Sequence, residues 1–139
     1  MIYKYFETNK IDLTVNKIIL FHGKNDGLKD ETLNNLISKN YKKTLYEEKE
    51  ILENSSQFLD KLLNRSLFDT EEAIIIKRAT DKIFDLVNEI ASKNIDDLII
   101  IINSENLEKR SKLRSFFEKS KKEICVAFYP DNEQTLIKI

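Results

Sequence analysis

Leu98-Ile99-Ile100-Ile101-Ile102 is an unbroken row of five branched apolar residues. A strand with one wet face alternates apolar and polar residues. A short continuous apolar run instead marks a strand buried on both faces. Four consecutive β-branched isoleucines also favour the pleated backbone over a helix. Shorter versions of the same signal flank this row. Lys17-Ile18-Ile19-Leu20-Phe21-His22-Gly23 and Ala73-Ile74-Ile75-Ile76-Lys77 read as two more buried strands. Residues 123–128 read as another, with Ile124, Val126 and Phe128 alternating, and Thr44-Leu45-Tyr46 is the weakest.

Between these runs the apolar spacing changes to three and four, the period of a helix face. Residues 28–39 carry Leu33, Leu36 and Ile37, with Asn40 as the stop residue. Residues 51–63 carry Leu52, Ser55, Leu59, Leu62 and Leu63. Residues 81–92 carry Ile83, Leu86, Val87 and Ile90, with Asp81 as N-cap or first-turn anion. Residues 111–119 turn Leu113, Phe116 and Phe117 inward. Residues 1–15 read as an edge strand or a lead-in, and Pro130 ends the last strand before the start of a further helix. Strand and helix therefore alternate about five times. That order predicts a three-layer α/β domain: a parallel sheet with helices on both faces and right-handed crossovers.

Composition narrows the function. A chain of 139 residues is the size of one domain. It is 41% hydrophobic and 34% charged, a globular balance. The net charge of −1 gives no overall field to draw nucleic acid or an anionic membrane. The longest apolar run is far too short for a bilayer, and no basic-then-apolar export signal opens the chain. Cys125 is the one cysteine, which fits a reducing cytoplasm and an inert buried thiol.

Ligands of such sheets bind beyond the strand ends. The turn after the first buried strand reads Gly23-Lys24-Asn25-Asp26-Gly27-Leu28-Lys29-Asp30. A phosphate loop needs four residues between its glycines, followed by Lys. Here three intervene, Leu28 stands where Lys should, and Asp26 and Asp30 would face the phosphates. Gly23 and Gly27 read better as turn residues. The row 98–102 ends in Asn103-Ser104-Glu105, where a magnesium site would want Asp. His22 is the one histidine and reads as a polar residue capping local structure. No metal cluster is expected. The acid pairs Glu47-Glu48, Glu71-Glu72 and Asp96-Asp97 read as solvated surface. The basic run Arg110-Ser111-Lys112-Leu113-Arg114, with Lys119, Lys121 and Lys122, suits either a wet helix face or a phosphate contact.

That leaves Asn64-Arg65-Ser66-Leu67-Phe68-Asp69-Thr70. Two large apolar side chains, Leu67 and Phe68, stand side by side between a helix and a strand. The residues alone permit two readings: a seal at the end of the core, or a plug for a partner's pocket.

Several pieces, in order along nearly the whole chain, resemble the delta subunit of bacterial DNA polymerase III. They are Ile19-Leu20-Phe21-His22-Gly23, then Ser66-Leu67-Phe68 ahead of Ala73-Ile74-Ile75-Ile76-Lys77. Next come Ile99-Ile100-Ile101-Ile102 and Glu105-Asn106-Leu107-Glu108-Lys109-Arg110-Ser111-Lys112-Leu113, followed by a helix, a short strand and Pro130. The run Asp69-Thr70-Glu71-Glu72 departs from the family in lacking Gly and basic residues. The resemblance implies an AAA+-like (P-loop NTPase type) domain with a degenerate nucleotide site and no cofactor. It implies a component of the clamp loader, which opens the sliding clamp (beta subunit) and loads it on primed DNA. The clamp would be bound through Leu67 and Phe68, with Asn64, Arg65 and Ser66 at the rim. Other loader subunits would be met through a missing C-terminal region, a lid domain starting near residue 131. DNA would be touched indirectly or weakly. No catalytic residue is expected within the chain, which would serve a DNA polymerase holoenzyme in the cytoplasm. The other readings are a P-loop-type nucleotide-binding enzyme and a stand-alone nucleic-acid-binding module centred on residues 109–122.

Overall fold

In the computed structural model, which describes residues 1–37, 41–64, 72–93, 98–105 and 107–128, the row 98–102 lies at the middle of a sheet. The strands are β1 (Ile2–Lys4), β2 (Ile18–Gly23), β3 (Lys42–Glu47), β4 (Glu72–Lys77), β5 (Leu98–Asn103) and β6 (Ile124–Phe128). The helices are α1 (Asp26–Leu36), α2 (Glu48–Glu53), α3 (Ser55–Leu63), α4 (Phe84–Lys93) and α5 (Lys112–Lys119). Two 3-10 turns, Tyr5–Lys10 and Asp81–Ile83, complete the order.

All described strand pairs are parallel, in the spatial order β1-β6-β2-β5-β4-β3. The apolar runs sit at the centre because they are buried on both sides. Ile18, Leu20, Ile74, Ile76, Leu98, Ile100 and Ile102 face one core, with α2, α3, α4 and α5. Ile19, Phe21, Ala73, Ile75, Ile99 and Ile101 face the other, with α1 and the Tyr5–Lys10 turn. Helices cover both faces, and the three-layer architecture stands. The division follows from handedness. From β2 the chain crosses over β5 and β4 to reach β3. From β3 onward it steps back the other way. A right-handed crossover must change faces when its direction reverses, so α1 lies alone on its side of the helical layers.

Some boundaries differ from the sequence reading. The first helix begins at Asp26, where the Asn25 side chain accepts from the Leu28 amide at 3.1 Å. It ends at Leu36, since Ile37 is already extended, so Asn40 is not its stop. The single helix expected over residues 51–63 is two helices that start earlier, at Glu48. Asn54, at φ −140°, breaks them. That break shifts the helical phase, so the inner stripe is Ile51, Phe58 and Leu62 rather than one through Ser55 and Leu63.

Residues 1–15 do contribute an edge strand, β1. Its register on β6 (Ile2 beside Cys125) is reinforced at the end of α5. There the Met1 ammonium donates to the carbonyls of Phe117, Ser120 (2.6 Å) and Glu123 (3.0 Å). A cation at a helix C-terminus meets the negative end of the helix dipole and its unpaired carbonyls. The last strand ends at Phe128. Pro130 and the start of a lid domain near residue 131 lie outside the described residues.

Candidate functional site

The segment singled out in the sequence, residues 64–70, begins at Asn64, the C-cap of α3. Its amide and its Nδ2 both donate to the Asp60 carbonyl, at 3.0 and 2.9 Å, which spends the side chain on ending the helix. Arg65, Ser66, Leu67 and Phe68 lie outside the described residues. The described chain resumes at Glu72, the first residue of β4. Leu63, beside Asn64, is 44% exposed. Lys61 Nζ donates to Tyr46 Oη at 3.1 Å, a bond that raises the lysine pKa.

The edge where strands end holds most of the buried polarity. Five of the seven buried polar residues among those described lie there: His22, Lys29, Glu48, Ser104 and Ser111. Its centre is the gap between β2 and β5. These neighbours send their following helices, α1 and α5, to opposite faces, which makes this the topological switch point where such sheets hold ligands. Here the two strand ends are stitched together. Ser104 N donates to Phe21 O at 2.8 Å, and Gly23 N donates to Glu105 O at 3.0 Å.

Gly23 leaves β2 at φ +117°, a left-handed backbone favourable only to glycine. A Cβ there would overlap the carbonyl of Phe128 on β6. Its reading as a turn residue holds. Gly27 is different: it lies within α1, where a Cβ would make only an ordinary contact with Asn25 Oδ1, at 3.9 Å.

Lys29 was passed over in the sequence as part of a failed phosphate loop. Its side chain is 2% exposed. Its ammonium donates to Asn103 Oδ1 at 2.9 Å and to Ser104 O at 2.7 Å, with Asp26 Oδ1 at 3.8 Å. Burial lowers its pKa, opposed by Asp26, Glu105 and Asp30. The signal was present in the sequence. Lys29 stands four residues before Leu33 and seven before Leu36, on the inner stripe of α1.

His22 does not cap local structure. It is 1% exposed, and its Nδ1 finds no partner among the described residues. Burial, aided by the charge of Arg114, lowers its pKa to about 4, so the ring is neutral near pH 7. Ser104 Oγ is likewise unpartnered. Cys125 is buried, and burial pushes its thiol up to about 12, as expected of an inert sulfhydryl.

Two acids take unforeseen roles. Glu48 is no solvated surface residue: it is buried, and its carboxylate accepts from Thr80 N and from Thr80 Oγ1 (2.9 Å). Asp81 is a first-turn anion, as one of its two readings had it, and not the N-cap. Thr80 takes that place, accepting from Lys82 N at 3.2 Å. Asp81 instead accepts from Ser111 Oγ and from the amides of Lys112 and Leu113, both at 3.2 Å, at the start of α5.

In the basic run, Lys109, Arg110, Lys112, Lys119, Lys121 and Lys122 are exposed. Arg114 turns inward, to Glu118 Oε2 at 2.9 Å and to the Leu107 carbonyl at 2.8 Å. Among the described residues, no three His, Cys, Asp or Glu side chains converge as metal ligands. No helix among them is long and apolar enough to cross a membrane. Comparison with protein-family models and with curated proteins gives no match, so the geometry must carry the functional reading.

Proposed function

We propose that this chain is the clamp-binding domain of a clamp-loader delta subunit. It docks on the ring-shaped sliding clamp through Leu67 and Phe68, with Asn64, Arg65 and Ser66 at the rim. The observation that carries the reading is the filled crevice. A sheet of this class keeps its ligand at the switch point, and here Lys29 occupies that place. An α/β domain without an open crevice is suited to work through its surface. The resemblance supplies the surface. The AAA+-like part of this reading rests on the resemblance. Counted from β2, the core runs 5-1-4-3-2, which is neither the Rossmann nor the flavodoxin order.

In this reading the domain is a cytoplasmic, non-catalytic part of the polymerase holoenzyme. It meets other loader subunits through regions beyond this chain and reaches DNA only indirectly. The pair acts as an anchor. Burying one Leu and one Phe contributes about 3–6 kcal/mol gross, before the cost of association. The remaining affinity comes from a wider contact, as is usual around hot spots. Preference for the clamp geometry that satisfies both contacts then shifts the ring toward its open form.

Binding to the sliding clamp of the same organism tests this, with the 139-residue chain against Leu67→Ala/Phe68→Ala. The double variant should bind at least about 100-fold more weakly, a loss of about 2.7 kcal/mol. Equal binding would remove the site assignment. A nucleic-acid module is disfavoured because the net charge is −1 and Arg110 is paired with Glu108 at 2.8 Å.

A further inference from the structure

The sheet stops at β1 on one side and at β3 on the other. β1 has three residues, whereas β3 has six, Lys42-Lys43-Thr44-Leu45-Tyr46-Glu47. Among the described residues β3 pairs with β4 and with no other strand, so alternate backbone N–H and C=O groups point outward from it. Its register on β4 sorts its side chains. Thr44 and Tyr46 lie beside Ile74 and Ile76, on the face of the larger helical layer. Lys43, Leu45 and Glu47 lie beside Ala73, Ile75 and Lys77, on the α1 face. There the edge is bare: Lys43 is exposed, Leu45 is 53% exposed and the Glu47 side chain 44%. Lysines blunt an edge against most strands, but Glu47 is their complement on the same strand.

We propose that β3 pairs with β3 of a second copy of this chain, antiparallel about a two-fold axis at Leu45. A two-fold axis normal to the sheet sets each residue opposite one on the same face. Centred on Leu45, it brings the two Leu45 side chains together and places Lys43 of each copy opposite Glu47 of the other. The stripe Lys-x-Leu-x-Glu, read backwards, is its own complement. Opposite charges at directly facing strand positions attract, and like charges there repel. Charge also selects the register: an axis at Thr44 would set Lys43 against Leu45 and leave Glu47 opposite Tyr41. Arg78 Nε stands 3.7 Å from Glu47 Oε2 and is largely exposed, so the carboxylate keeps room for a second cation. The pairing joins two six-stranded sheets into one and uses the outward backbone groups of both copies. The contact is small, so the association is of the transient kind. It requires nothing of docking through Leu67 and Phe68.

Sedimentation equilibrium on the 139-residue chain should show a monomer–dimer equilibrium. Leu45→Lys, at an exposed position, sets two ammonium groups at the axis and should raise the dissociation constant at least about tenfold. Lys43→Glu and Glu47→Lys should each weaken the dimer as much, because each turns two attractions into two repulsions. Mixed in equal amounts, these two variants should associate with each other, since each supplies the charge the other lacks. Local damage to the fold would not give that rescue. If Glu47→Lys does not fold, because Glu47 is the N-cap of α2, Leu45→Lys and Lys43→Glu carry the test. An unaltered chain that stays monomeric up to about 1 mM overturns the proposal and leaves the edge to a strand of a different protein. A dimer that persists in Leu45→Lys and Lys43→Glu overturns it too, as does failure of the two folded charge variants to associate when mixed. No arm involves the sliding clamp, so this proposal and the clamp-binding one fail separately.

Discussion

The two edges of this sheet are built from different materials. Where strands end, polar groups are largely bound to one another: buried Lys29 to Asn103 and Ser104, buried Glu48 to Thr80, and exposed Asp81 to the start of α5, while His22 Nδ1 and Ser104 Oγ find no partner among the described residues. Where strands begin, the buried polar residue is Asn16. It accepts from Asp12 N at 3.0 Å and donates to Lys122 O at 2.8 Å. Beside it an open cavity of about 250 Å³ is lined by Val15, Ile18, Ile90 and Leu98 together with Lys17, Lys122 and Glu123. The edge that carries chemistry in most sheets of this class has been turned into structure. Substitutions there should cost stability, whereas Leu67→Ala/Phe68→Ala, in the proposed reading, should cost affinity.

Gly23→Ala is the strongest way to break that contrast. The new Cβ must enter the Phe128 carbonyl, and φ +117° is itself unfavourable for any residue but glycine. Strain and overlap together should cost at least about 4 kcal/mol, enough to unfold a marginal domain. Urea denaturation measures it. A loss below 1 kcal/mol would mean that β2 and β6 separate easily at this edge.

Acid titration is next in size. His22 has its pKa lowered to about 4, whereas in the unfolded chain it titrates near 6.5. Between those values the unfolded chain binds more protons, so stability must fall as pH drops from about 6.5 to about 4 and then level off. The full loss is about 3 kcal/mol. His22→Leu should flatten the slope in that window. A wild-type stability independent of pH there would show that the ring is not buried neutral.

Asn16→Ala at the opposite edge should cost less, about 1–2 kcal/mol, because it leaves the Lys122 carbonyl and the Asp12 amide short of a partner close to water. A loss as large as that of Gly23→Ala would erase the distinction between the edges.

How much of this was legible depended on whether the interaction was local. The apolar rows 18–21, 74–76 and 98–102 announced buried strands because periodicity records burial directly. Asn54 was not recognised as a break, because an Asn is tolerated within a helical pattern and its φ is decided by packing. Lys29 was readable by helical phase, yet a lysine on an inner stripe is discounted by habit. Its acceptors, Asn103 and Ser104, lie more than 70 residues away. Glu48 was read with its neighbour Glu47 as a surface pair, although its partner Thr80 is 32 residues distant. The role proposed for Leu67 and Phe68 rests on the resemblance, and both fall outside the described residues.

Asp81 gives the smallest effect and the sharpest separation. Its carboxylate reaches across to α5 and accepts from Ser111 Oγ and the Lys112 and Leu113 amides. Burial pushes its pKa up, but the bonds from Ser111, Leu113 and Lys112 outweigh it and hold the carboxyl below its ordinary value. The residue is exposed, so screening limits the gain, and Asp81→Ala should cost about 1 kcal/mol, as for loss of a helix cap. The sign matches that of His22, but the window does not. A carboxylate with a depressed pKa contributes stability that is present above its unfolded value, near 3.9, and is lost as pH falls through the folded one. Stability should therefore decline in two stages on acidification, first through His22 and then, below about pH 4, through Asp81. His22→Leu should remove the first stage and keep the second, and Asp81→Ala should weaken only the second. If either variant altered both, the two groups would be coupled through α5, whose Arg114 side chain lies near enough to His22 to lower its pKa.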